Sequence, residues 1–134
     1  MKRELKFRAW KIKEKEMLPA YEIGAIDFFG GRMLRDTEIF FFDEDRYGDK
    51  VDLHLMQFTG LKDKNGKEIY EGDIISTEAK VRLLVGWNTE YASFCLDKDG
   101  WMYSHWFGES CNPKDCKVIG NIYENPELLK ARDD

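Results

Sequence analysis

The chain has 134 residues and a mass of 15.8 kDa, enough for one core of ordinary size. Apolar residues make up 43% and charged residues 35%, which excludes wholesale disorder, and no apolar run approaches the roughly 20 residues of a membrane-spanning helix. The net charge of -5 argues against a general nucleic-acid binder of the strongly basic type.

The N-terminus interrupts its apolar residues with charges where a signal peptide carries an apolar stretch, so a cytoplasmic protein is expected. Charge is unevenly spread. Residues 1–15 hold Lys2, Arg3, Lys6, Arg8, Lys11, Lys13 and Lys15 against Glu4 and Glu14, a sum of +5 that leaves -10 for the remainder. The stretch from Asp36 to Lys50 sums to -4. Solvated faces account for both segments, since exposed ion pairs contribute only about 0 to 1 kcal/mol. Cys95, Cys111 and Cys116 form an odd set in a chain expected to stay in a reducing compartment, so no structural disulfide is expected.

In chain order, Leu5, Phe7 and Ala9 alternate with Lys6, Arg8 and Trp10, and Met17 to Ile23 follows the charged turn 13–16, which predicts an N-terminal β-hairpin. Gly30-Gly31 breaks the next segment, and Ile39 to Phe42 reads as a strand covered on both faces. Leu53 to Phe58 reads as a strand ending at Thr59-Gly60. Asn65-Gly66 predicts a type I′ turn, with positive φ at both positions. Beyond it, Ile74-Ile75, Lys80 to Trp87, Tyr91 to Leu96 and Trp101 to Phe107 form a meander, with a turn at 97–100, and Val118 to Tyr123 adds a last strand. Asn125-Pro126-Glu127 supplies an N-cap, a proline at the first helical position and an early acid, predicting a short helix over about 126–132. The fold class expected is therefore mostly β within a single domain, 1–134. An N-terminal hairpin and meander, about 1–60, packs on an SH3-like small barrel, about 72–123, followed by the short helix.

Three stretches carry a resemblance: Leu5 to Trp10, Met56 to Ile75 (MQFTGLKDKNGKEIYEGDII) and Val118 to Leu129 (VIGNIYENPELL). Together they resemble the YopX family of small bacteriophage and prophage proteins. The resemblance implies a phage-encoded, mostly β protein acting in the bacterial cytoplasm; it implies no reaction, and no catalytic residue is carried over. Physically, Gly60, Gly66 and Gly72 fall at turn points, and Asp63, Asn65 and Asp73 can accept from neighbouring amides, so the central motif reads first as a folding element and second as a binding loop.

Other candidate sites weaken on inspection. Cys111 and Cys116 with Cys95 and His105 offer zinc-ligand types, but the Cys-x4-Cys spacing has no second close pair, so no metal or cofactor is expected. The loops at Asp63 and Asp97 place their glycines and acids wrongly for an EF-hand. The nineteen aromatic residues are the least ordinary feature. Strand parity puts Trp101, Tyr103, His105 and Phe107 on one face, expected inward, and Met102, Ser104 and Trp106 on the other. The second face serves either core packing or recognition. The function expected is a non-enzymatic accessory or adaptor module that binds a host or phage protein, with homo-oligomers compatible and no membrane partner. Two alternatives stand beside it: a single-stranded nucleic-acid binder using Lys6, Arg8 and stacking aromatics, and a Mg-dependent hydrolase or nuclease using clustered carboxylates.

Overall fold

The computed structural model describes residues 4–42, 51–90, 92–98, 101–103, 105–106 and 112–129. Antiparallel strands dominate them, as expected, and no long helix occurs among them. The chain divides into two compact units, one spanning Leu5–Gln57 and the other made of Met1–Glu4 and Phe58–Asp134.

In the first unit, β1 (Phe7–Lys11) and β2 (Glu16–Leu18) form the expected hairpin, with Ala9 opposite Leu18. Lys15 takes φ 55° in the connecting turn and donates its amide to the Lys11 carbonyl. The second run is shorter than the apolar pattern suggests, because Pro19 and a 3-10 turn at Ala20–Glu22 end it. β3 (Ala25–Asp27), β4 (Arg32–Arg35) and β5 (Glu38–Phe41) make a separate sheet in that order. β6 (Leu53–Lys62) pairs with β1 through Leu53–Gln57, so β1 is an inner strand. Its alternation fails at the C-terminal end, where the consecutive residues Ala9, Trp10 and Lys11, which point to opposite faces, are all buried. Ala9, Leu18, Met33 and Leu53 form the core, with Ile23, Ile26, Phe40, Phe42 and Leu55 around them. Buried Lys11 keeps its ammonium 3.8 Å from Glu16 and 5.4 Å from the centroid of the Phe40 ring, so its charge stays compensated. β5 lies at a sheet edge with Ile39 52% exposed, which corrects the expectation of a strand covered on both faces. Asp52 closes the unit: its carboxylate accepts from the Phe41 amide at 2.9 Å, and its carbonyl accepts from Ile12 at 3.0 Å.

In the second unit, β6 continues past Gly60 to Lys62 and pairs with β7 (Glu68–Tyr70). The expected stop at Thr59-Gly60 is instead a register shift between Phe58 and Lys62, with Gly60 at φ 87°. β8 (Asp73–Ser76), β9 (Arg82–Asn88) and β10 (Ser93–Lys98) form a meander. The expected strand from Trp101 to Phe107 is two pieces, β11 (Trp101–Tyr103) and β12 (His105–Trp106), both pairing with β10. β13 (Lys117–Asn121) returns beside β8, giving the order β11-β10-β9-β8-β13, a curled antiparallel sheet. Ile69, Ile75, Leu83, Val85, Leu96, Cys116 and Val118 form its core. Burying each of the larger aliphatic side chains stabilises by about 1.5–3 kcal/mol. Gly72 takes φ 86°, donates its amide to the Val85 carbonyl and accepts from Ile122, both at 2.8 Å.

The expected terminal helix is a 3-10 turn at Pro126–Leu129, and residues 130–134 lie outside the described residues. Asn125 departs from its expected N-cap bond, because its Oδ1 faces backward and accepts from the Asn121 amide at 3.3 Å.

Candidate functional site

The central motif is built around Asp63, which is 5% exposed. Its Oδ1 accepts from the amides of Asn65 (2.8 Å) and Lys67 (2.9 Å), and its Oδ2 accepts from Val118 (2.9 Å) across 55 residues of chain. Burial by itself raises this carboxyl. The three amides, with the charge of Lys67, outweigh that and hold it below the ordinary carboxylate range. The turn is not type I′. Gly66 alone of the pair has positive φ (79°), its amide donates to the Asp63 carbonyl at 3.0 Å, and the Asp63 amide donates to Lys67 at 2.8 Å. This is a type I turn followed by a left-handed glycine, the usual three-residue hairpin loop, and the Asp63 carboxylate selects it by capping the two amides. The Lys64 amide donates to the Cys116 carbonyl at 3.0 Å, so the whole turn is fastened to the start of β13.

That fastening shapes a surface groove of about 420 Å³, lined by Lys64, Ser76, Thr77, Glu78, Lys80, Arg82, Asp115, Lys117 and Ile119. Lys117 stands opposite Ser76, and Ser76 opposite Arg82, so a cation, a hydroxyl and a second cation form one row across β13, β8 and β9. Directly opposite residues share a face, with Cβ atoms roughly 4.5–5.5 Å apart. Lys80 enters from the connecting turn, where it takes φ 62° and donates its amide to the Thr77 carbonyl at 2.8 Å. Thr77 Oγ1 accepts from Val81 at 3.1 Å, completing that turn. The Arg82 guanidinium donates to the Leu128 carbonyl at 3.2 Å.

In the first unit, the β3-β4 hairpin carries Phe28 and Phe29 at its tip, 61% and 103% exposed. Asp27 accepts from the Gly30 amide (3.1 Å) and pairs with Arg32 (2.8 Å), which fixes the loop. The Arg32 hydrogen bond, then the Gly30 amide, hold the Asp27 carboxyl below its ordinary range. Phe28 leans edge-on toward Phe7 and Phe42, with ring centroids 5.6 and 6.0 Å away, while Phe29 is left projecting.

Of the residues proposed from sequence, Lys6, just before β1, and Arg8, within it, are half-buried, and Arg8 stands opposite Met56. Met102 and Trp106 stand opposite Asp97 and Cys95 in β10, but their side chains, with all of Ser104, lie outside the described residues. The inward or outward face of Trp101, Tyr103, His105 and Phe107 is outside them too, as is Cys111. Cys95 and Cys116 are buried thiols; burial, then the charge of Asp97, pushes the Cys95 thiol up. Among the described residues, no group of three or more His, Cys, Asp or Glu side chains could hold a metal ion, and no helix is long and apolar enough to cross a membrane. Sequence reasoning missed both the groove and the Phe28-Phe29 tip. The tip had a local signal in Phe-Phe-Gly-Gly, whereas the groove cations are scattered from position 64 to 117.

The sequence matches the family described as YopX protein over residues 6–130. The fold is similar to the crystal structure of protein EF1440 from Enterococcus faecalis, at 30% identity and a TM-score of 0.70, covering 96% of this chain and 100% of that one. No curated protein matches. With the family match spanning nearly the whole chain and a related structure sharing its fold, this chain belongs to the YopX family.

Proposed function

We propose that this chain is a non-enzymatic phage or prophage accessory protein of the bacterial cytoplasm that binds a host or phage protein through the Phe28-Phe29 hairpin tip. The setting rests on the family resemblance. The binding role rests on one observation: Phe29 is 103% exposed at the end of a loop braced by Asp27, Arg32 and Gly30. A rigid projecting aromatic loses little conformational freedom when it enters an apolar pocket, and such anchors often dominate interface energy. Phe28 serves as the brace, because its ring already meets Phe7 and Phe42.

Affinity capture from prophage-carrying or phage-infected cells, followed by identification of the retained protein, tests this reading with wild type and Phe29→Ala side by side. The variant is expected to keep its unfolding midpoint, since Phe29 has no buried surface to lose, and to retain the partner at least about tenfold less well, as loss of an anchor implies. Equal retention by both proteins overturns the assignment of the tip.

A further inference from the structure

The groove of the second unit has no part in the hairpin-tip reading and carries its own inference. Lys64, Lys80, Arg82 and Lys117 face Glu78 and Asp115, a local charge of +2 on a chain of -5, so the rest of the protein carries -7. Among the described residues no ion pair within 4.0 Å engages any of these four cations. Their convergence is imposed by the backbone. Strand register places Lys117 and Arg82 on either side of Ser76; the 77–80 turn delivers Lys80; the Lys64 amide is tied to Cys116. Like charges placed in one groove repel, and an oxyanion between them relieves that repulsion.

The donor set narrows the ligand. Three ammonium groups, one guanidinium and the Ser76 and Thr77 hydroxyls suit tetrahedral oxyanions with several charges, and Arg and Lys are the residues that recognise phosphate. The volume of about 420 Å³ lies within the usual range for small-ligand sites. Ile119 is the one apolar side chain of the lining, and no aromatic ring is among those residues, so recognition falls on phosphate oxygens and not on a stacked base. We propose that this groove is a binding site for a chain of phosphate groups, held between the Lys117-Ser76-Arg82 row and the ammonium groups of Lys64 and Lys80.

The test uses the full chain and inorganic tripolyphosphate, titrated by calorimetry, with amide chemical shifts followed by NMR. Binding is expected to weaken several-fold as NaCl rises from about 50 to 200 mM, since the contacts are charge-assisted. It is expected to weaken at least about tenfold in Lys80→Ala/Lys117→Ala and to survive in Lys80→Arg/Lys117→Arg. The shifts should centre on residues 76–82 and 117. Both lysines are exposed, so the double variants should keep the wild-type unfolding midpoint, and Phe29→Ala should bind tripolyphosphate as wild type does. Two further arms use a single-stranded oligothymidylate and a polyglutamate peptide. Tighter binding of the oligonucleotide identifies a nucleic-acid backbone as the source of the phosphates; tighter binding of tripolyphosphate identifies a free phosphate chain. Absence of tripolyphosphate binding, shifts centred elsewhere, an unaltered affinity in the alanine variant, or equal binding of polyglutamate each overturns the proposal.

Discussion

Removal of the Asp63 carboxylate should destabilise the second unit. Substitution by alanine strips one acceptor from three amides: Asn65 and Lys67 within the turn, and Val118 in β13. The costs differ by exposure. Asn65 and Lys67 are exposed, so water can replace the carboxylate there, leaving a net loss of about 0.5–1 kcal/mol each. The bond to Val118 is buried, and breaking a buried bond to a charged acceptor costs about 1.5–3 kcal/mol. The sum is about 2.5–5 kcal/mol, against roughly 5–15 kcal/mol for a whole small domain. Asp63→Asn is the sharper probe. It keeps one oxygen for the turn amides but sets an NH2 against the Val118 amide, so the buried contact becomes donor against donor.

Chemical denaturation across pH measures both effects. The Asp63 carboxyl lies below its ordinary value in the folded state, so its contribution is fully present above the unfolded-state value of about 3.9 and is lost as pH falls through the lower folded one. Wild type should therefore lose stability on acidification, and Asp63→Asn should show a shallower loss over that window. A midpoint for Asp63→Asn within about 0.5 kcal/mol of wild type, with the same acid slope, would refute the capping account.

Three other outcomes follow from the same geometry. Gly66→Val should destabilise by about 1–2 kcal/mol from backbone strain alone, since a Cβ at Gly66 meets nothing within 4 Å while φ is 79°; an unchanged denaturation midpoint would mean that the turn rebuilds. Gly120→Ala would place its Cβ 2.5 Å from Asn125 Oδ1, displacing the side chain that accepts from Asn121, at a cost of about 1–2 kcal/mol; a double-mutant cycle with Asn125→Gly should show most of that cost disappearing, and full additivity would contradict it. Cys95, buried and pushed above its ordinary thiol range, should alkylate far more slowly at neutral pH in the folded protein than in denaturant, as mass mapping of the labelled peptide would show; equal rates would contradict its burial.

What was legible in the sequence was local. The β1-β2 hairpin could be read because alternation and a charged turn sit within a dozen residues, and the Asp63-Gly66 loop because Asn-Gly is a strong turn signal. The turn type could not be read, because the residue that decides it, Asp63, acts through its carboxylate and is held by an amide 55 positions away. For Phe28 and Phe29 the sequence offers only the break at Gly30-Gly31; the Asp27-Arg32 pair and those glycines turn the loop so that one ring packs and the other projects. Ile39 shows the same limit in reverse, an apolar residue left outside on the face opposite Phe40, which packs against the core.

The groove was illegible for a stricter reason. Lys64, Ser76, Lys80, Arg82 and Lys117 belong to no common sequence pattern, and only the pairings of β8 with β9 and with β13 bring the last of them beside the rest. A slip of one residue in either pairing would carry its partner to the opposite face and break the row. The register is not set by those side chains, which are exposed or half-buried and contribute little to the core. It is set by Ile75 and Val118, which stand opposite each other in the apolar cluster, and by the Asp63 carboxylate on the Val118 amide. The residues that make the family motif recognisable thus do structural work, and the chemistry they position lies in less distinctive residues around them.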